Sequence, residues 1–131
     1  EEVRGRPPQG GPRVIVARRD DTVADAYALF SKFDLHHLPV VEGAKVIGIV
    51  SATDLLGFFA TRGASDATRV RLEEVMTPEP QVISVETSVR DTVGILAHAS
   101  FRCLPVVNPT GEIYDIVTTR DLVRFLEVSI R

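Results

Sequence analysis

The tetrad Leu38-Pro39-Val40-Val41 is written again, 66 positions later, as Leu104-Pro105-Val106-Val107. No other feature narrows the possible folds as much, because a chain repeating one apolar stretch within a matching frame is built from two copies of one unit. The same offset carries Thr22-Val23-Ala24-Asp25 onto Ser88-Val89-Arg90-Asp91. Both fit [ST]-x-x-[DE] at a helix start, where the hydroxyl accepts a bond from a free backbone N–H. Past the tetrads the offset becomes 67, taking Ser51-Ala52-Thr53-Asp54-Leu55 onto Thr118-Thr119-Arg120-Asp121-Leu122. The extra residue falls in a turn, Glu42-Gly43-Ala44-Lys45 against Asn108-Pro109-Thr110-Gly111-Glu112, where an insertion does least harm.

Each copy reads as a short strand, a helix, two strands joined by a turn, and a closing helix. In the first copy Val14-Ile15-Val16 is strand-like, and Val23, Ala26, Tyr27 and Phe30 form an apolar stripe at helical spacing. Leu38 to Val41 and Val46 to Val50 make a hairpin around Gly43, and a helix opening at Asp54 carries Leu55, Leu56, Phe58 and Phe59. The second copy supplies Val82-Ile83, then Val89, Val93 and Leu96, then strands over Leu104–Val107 and Ile113–Val117. Its closing helix holds Leu122, Val123, Phe125 and Leu126. Both closing helices are apolar on more than one side, which predicts that part of each meets another chain. A unit of about 50 residues buries too little apolar surface to stand alone, whereas two packed together can. The expected class is therefore α+β, an α/β two-layer fold of tandem β-α-β-β-α repeats. A flexible lead-in is expected at 1–13, which contains "GRPPQGGP", then a first repeat at 14–60. A connector at 61–71 ("TRGASDATRVR") and a second repeat at 72–127 follow.

Charge and composition remove several function classes. A net charge of −3 and an aromatic content of 6% argue against nucleic-acid binding, despite the local group Arg4, Arg6, Arg13, Arg18 and Arg19. Nothing approaches the roughly 18 consecutive apolar residues of a membrane-spanning helix. No signal or transit segment is visible. The single cysteine, Cys103, excludes an internal disulfide and a cysteine metal cage, so a reducing cytoplasm is the expected location. Its place in an alternating strand reads as a small buried hydrophobe rather than a reactive thiol. His36, His37 and His98 lack metal-ligand spacing with an acidic partner, and no G-x-x-x-x-G-K-[ST] phosphate loop is present. No catalytic constellation stands out; the expectation is a protein without catalysis, metal or cofactor.

Strand, helix, apolar-Pro-Val strand, turn, strand, [ST]-x-x-Asp and helix, written twice, resembles the cystathionine-beta-synthase (CBS) domain pair, or Bateman module, over nearly all of residues 14–127. The stretch "LEEVMTPEP" at 72–80 is similar to the family's usual lead-in to a repeat. "EEVRGRPPQGGP" lacks its Met-Thr-Pro, and Asp115 stands where the first copy has Gly48. The resemblance implies two repeats related by a pseudo-twofold, with clefts for adenosyl compounds. These are AMP, ADP or ATP, the last with Mg, and in some members S-adenosylmethionine or dinucleotides. It also implies a homodimer whose four repeats form a flat disc. In the gamma subunit of the AMP-activated protein kinase, a member of this family, a phosphate-binding His-Arg precedes a Leu-Pro-Val stretch. His36-His37 and Arg102-Cys103 occupy the matching places here.

Candidate site residues follow from the motifs together with that resemblance. Ser51 with Asp54, and Thr118 with Asp121, place a hydroxyl and a carboxylate at a helix start. The carboxylate can accept two hydrogen bonds from a ribose diol. An Asp used as the N-cap would stabilise the helix by about 1 kcal/mol with no ligand at all. Arg120 beside a helix N-terminus, with Arg102, His36 and His37, could surround phosphates. The alternative is a solvated face, and adjacent His36 and His37 point to opposite sides of a strand. Val16, Pro39, Val82, Ile83 and Pro105 could sandwich an adenine, or simply be core. The expected function is a regulatory adenine-nucleotide sensor controlling a partner domain or protein through ligand-dependent repacking. The alternatives are a ligand-free oligomerisation or interaction module of a larger enzyme or transporter, and S-adenosylmethionine binding.

Overall fold

The computed structural model describes residues 14–129, so the expectations placed on residues 1–13 lie outside it. The chain divides into two compact units, one ending at Pro80 and the other starting at Gln81. The first holds β1 (Ala17–Arg18), α1 (Val23–Phe33), the hairpin of β2 (His37–Glu42) and β3 (Lys45–Ser51), and α2 (Ala52–Thr61). A short helix α3 (Ala64–Ala67), a 3-10 turn (Leu72–Glu74) and β4 (Thr77–Pro78) complete it. Its sheet runs β1-β2-β3-β4, with only β1 and β2 parallel. The second unit holds β5 (Ile83–Ser84), α4 (Val89–Ala97), β6 (Cys103–Val107), β7 (Ile113–Thr118) and α5 (Thr119–Ser129). Its sheet runs β5-β6-β7, again parallel then antiparallel. The tandem β-α-β-β-α architecture is thus present.

The local chemistry behaves as the repeat requires. Thr22 caps α1: the Asp25 N–H donates to Thr22 Oγ1 at 3.2 Å, and the Thr22 N–H donates to Asp25 Oδ2 at 2.9 Å. Gly43 (φ 65°) and Gly111 (φ 87°) take the left-handed conformation that turns each hairpin. The inserted residue in the second turn is absorbed around Asn108, whose Oδ1 accepts the N–H groups of Thr110 and Glu112, both at 3.0 Å. Each hairpin carries its irregularity at the same place, between Val40 and Val41 and between Val106 and Val107.

Three expectations are corrected. The opening strands lie at Ala17–Arg18 rather than Val14–Val16, and at Ile83–Ser84 rather than Val82-Ile83. Proline explains this shift, because Pro39 and Pro105 have no N–H for the ladder. Parallel pairing starts just past each of them, at Ala17↔Val40 and Ile83↔Val106. In α1, Val23, Ala26 and Phe30 are buried but Tyr27 is 56% exposed, its ring edge-on to Phe59 with centroids 6.0 Å apart. A phenol can keep its hydroxyl in water while its ring packs at the rim. The closing helix of the first unit starts at Ala52, not Asp54, with Ser51 as its N-cap.

The core of the first unit joins Val23 and Ala26 to Leu38, Val40 and Val50, and adds Ala67, Val70 and Leu72 from beyond α2. Backbone bonds fasten that segment: Val23 N–H to Val70 O at 2.9 Å, and Leu72 N–H to Asp21 O at 2.8 Å. Met76 then lies over Gly48, so that a Cβ at position 48 would fall on its sulfur. The second unit's core gathers Ile83, Leu96, Leu104 and Val106, with Ile95, Val117 and Leu122 packed alongside. Among the described residues no helix is long and apolar enough to cross a membrane.

Candidate functional site

In each unit the second hairpin strand runs straight into the closing helix beside the start of the first hairpin strand. Antiparallel pairing places His37 opposite Ser51, and Cys103 opposite Thr118. One further backbone bond closes each corner: Ala52 N–H donates to His36 O, and Thr119 N–H to Arg102 O, both at 2.9 Å. Residues 14 or more positions apart in sequence thereby become neighbours. His36, His37, Ser51, Thr53 and Asp54 make one corner; Arg102, Cys103, Thr118, Arg120 and Asp121 make the other.

Within each corner the hydroxyl and the carboxylate cap the helix reciprocally. The Asp54 N–H donates to Ser51 Oγ at 3.0 Å, and the Ser51 N–H to Asp54 Oδ2 at 2.8 Å. The Asp121 N–H donates to Thr118 Oγ1 at 3.1 Å, and the Thr118 N–H to Asp121 Oδ2 at 3.0 Å. Ser51 and Thr118, not the aspartates, therefore stand at the cap position. Each aspartate reaches back from the first turn with Oδ2, leaving Oδ1 outside the cap. Capping and diol binding are thus compatible in one carboxylate, which has about four acceptor directions. The same box at Thr22 and Asp25 shows that the motif alone does not mark a site. The α1 start even shares a closing backbone bond, Val23 N–H to Val70 O beside a Thr22–Arg71 bridge; what sets the two corners apart is that each grows directly out of the second strand of a hairpin.

The remaining candidates divide. Arg120, Arg102 and His36 are exposed at the corners, while His37 is half-buried. Pro39 and Pro105 are fully buried in mid-strand, opposite Ile49 and Ile116, and Ile83 packs in its unit's core. Val16 is half-buried next to β1, and Val82 is exposed. The side chains of Pro39 and Pro105 are thus enclosed within their own units, while Ile83 borders a pocket of the second unit with Ser84, Val106 and Asp115. Cys103 is buried, in keeping with its reading as a small hydrophobe. No group of three His, Cys, Asp or Glu suited to a metal occurs among the described residues.

Sequence reasoning missed an ionic clasp in the first unit. Arg19 donates from Nε to Glu73 and from Nη1 to Glu42, both at 3.0 Å, which ties β1 to the hairpin turn and to the 3-10 turn. Those hydrogen bonds, Glu73 first and then Glu42, raise the Arg19 pKa above its ordinary value. They also remove Arg19 from the basic group considered above for nucleic acid. Arg19 and Glu73 lie 54 residues apart, and no local pattern announces such a pair.

Two units of one β-α-β-β-α plan, each ending in a hydroxyl–aspartate corner, define a tandem-repeat module. The CBS domain family model matches residues 11–61 and 72–128, and the chain belongs to that family. The CBS-pair protein CBSX2 of Arabidopsis thaliana is 28% identical with a TM-score of 0.76, covering 88% of each chain. A structure of CBSX2 in complex with AMP is 30% identical with a TM-score of 0.74, covering 88% of this chain and 89% of that one. An inosine-5'-monophosphate dehydrogenase of Korarchaeum cryptofilum is 30% identical over 109 residues, which are 83% of this chain and 21% of the dehydrogenase. The chain thus spans about a fifth of that relative's length.

Proposed function

We propose that the chain is a regulatory module that binds an adenine nucleotide and passes its occupancy to a partner domain or protein through ligand-dependent repacking. One observation carries this reading: the two corners match bond for bond, although different residues fill them. The complex of CBSX2 with AMP supports it. In this reading Asp54 and Asp121 hold ribose diols with Oδ1, Ser51 and Thr118 position them, and Arg102, Arg120, His36 and His37 face phosphates. Adenine would meet the backbone near Val16, Pro39, Val82, Ile83 and Pro105. AMP, ADP or ATP rank above S-adenosylmethionine because phosphate-capable groups outnumber carboxylates at the corners. The chain performs no chemistry of its own; a nucleotide shifts a conformational equilibrium by its differential affinity for the two states. The exposed apolar side chains Leu56 on α2 and Val123 on α5 support association with a second copy as a homodimer.

Thermal melting with adenosine, AMP, ADP, ATP and S-adenosylmethionine tests the reading. A nucleotide at a hundred times its Kd stabilises the fold by about 2.7 kcal/mol. No shift with any of the five would replace this function by ligand-free oligomerisation.

A further inference from the structure

We propose that the two corners differ in what they select: the second unit's corner reads the phosphate chain of a nucleotide, and the first unit's corner is nearly indifferent to phosphate number. This rests on the adenine-nucleotide reading above and assigns each half a separate ligand preference. The equivalence of positions is fixed by backbone bonds rather than by alignment alone. The carbonyls of His36 and Arg102 each accept the N–H of the first helical residue, so those two residues hold the same place. Thr53 and Arg120 each stand two residues past a capping hydroxyl, so they match as well.

The chemistry at these matched places is unlike. The second corner carries arginine at both places, Arg102 and Arg120, with Asp121 at its helix start. The first carries His36 and Thr53 at those places, with Asp54 at its helix start and His37 on the adjoining strand. Four arginines of the first unit are held by carboxylates: Arg19 by Glu42 and Glu73, Arg62 and Arg69 by Asp66, and Arg71 by Glu73 at 3.9 Å, whereas Arg18, Arg90 and Arg124 make no ion pair among the described residues. Arg102 and Arg120 are exposed and make no ion pair among the described residues. A guanidinium offers a planar fork of N–H donors that binds two phosphate oxygens at once, whereas an imidazole offers a single ring nitrogen to each phosphate oxygen and a threonine a single hydroxyl. The helix dipole favours an anion at both corners alike and so does not separate them. What separates them is Arg102 and Arg120 against His36 and Thr53.

Calorimetric titration of the whole chain at about pH 8, with metal-free adenosine, AMP, ADP and ATP, tests the inference. Asp54→Asn and Asp121→Asn each keep an oxygen for the cap bond but spoil diol binding at one corner. With Asp54→Asn, affinity rises about tenfold or more from adenosine to ATP, and the rise shrinks with added salt. With Asp121→Asn, the four ligands stay within about threefold of one another, as expected without a permanent phosphate partner. Adding Arg120→Gln to Asp54→Asn flattens the series, and adding Thr53→Arg to Asp121→Asn steepens it. Thr53 is exposed, so Thr53→Arg in the otherwise unaltered chain also steepens the series and reads out even if an aspartate variant is less stable. Equal series in the two aspartate variants, or a series unmoved by both arginine changes, would overturn the inference while leaving the nucleotide reading intact. If the unaltered chain binds none of the four ligands, that reading falls and this inference with it.

Discussion

The two units share one plan and complete it differently. In the first, the chain beyond α2 folds back and contributes Ala67, Val70 and Leu72 to the core, adds β4 to the sheet, and lays Met76 over Gly48. In the second, the described chain ends with α5; its core is Ile83, Leu96, Leu104 and Val106, and Asp115 replaces the glycine. Matched positions record the contrast. Phe58 on α2 is 6% exposed, whereas Phe125 on α5 is 49% exposed. A duplicated sequence therefore gives matching hairpin registers and matching caps but unequal cores. The lesson is that the repeat encodes the frame and the two capped corners, while the segments between repeats decide how much of each helix is buried.

The contrast is sharpest at that phenylalanine pair. Phe58→Ala should destabilise the fold by about 3–5 kcal/mol, the usual cost of emptying a buried aromatic site. Phe125→Ala should cost less than about 1 kcal/mol in a dilute, unassociated sample, since half its surface is already in water. Urea denaturation of the two variants checks this, and equal losses would break the comparison. Next in size is Val123→Glu on the exposed side of α5, which should turn the proposed dimer into a monomer at micromolar concentration with little change in melting of the monomer. Light scattering after size exclusion reads the mass, and an unchanged mass would remove α5 from the interface.

The corners should respond alike where the cores do not. Ser51→Ala and Thr118→Ala each delete a cap and should each cost about 1 kcal/mol. A loss confined to one unit would mean that only that cap is formed in solution. The smallest effect concerns Asp66, whose hydrogen bonds from Arg69 and then Arg62 hold its carboxyl below the ordinary value. A lowered folded-state pKa stabilises above the unfolded pKa and is lost as pH falls through the folded one. Asp66→Asn should therefore show a slightly smaller fall in melting temperature than the unaltered chain on going from about pH 5 to pH 3. The Asp66 side chain is 32% exposed, so solvent partly screens the effect.

Much of this organisation is legible in the residues, and the part that is not has identifiable causes. The offsets of 66 and 67 locate both hairpins and both hydroxyl–aspartate pairs, because turns and caps are local and depend on residues a few positions apart. The opening strands are displaced because a missing N–H on Pro39 or Pro105 matters only once the partner strand is in place. The packing of Ala67, Val70 and Leu72 is hidden in "TRGASDATRVRL", whose apolar residues are too sparse to show a period. The Arg19 clasp joins three elements and has no local signature. At the corners the pairing of His37 with Ser51, and of Cys103 with Thr118, follows from the hairpin register. The sequence motifs alone leave open whether each aspartate caps a helix or holds a ligand; the reciprocal bonds show the cap and leave Oδ1 outside it.

Asp54 and Asp121 each cap a helix with one carboxylate oxygen, and the proposed function requires the other to bind a nucleoside. Titration calorimetry of AMP into the unaltered chain and into the Asp54→Asn, Asp121→Asn double variant measures that directly. The account predicts saturable binding to the first and none to the second, with both proteins still folded by circular dichroism. Binding of equal affinity to both would contradict it.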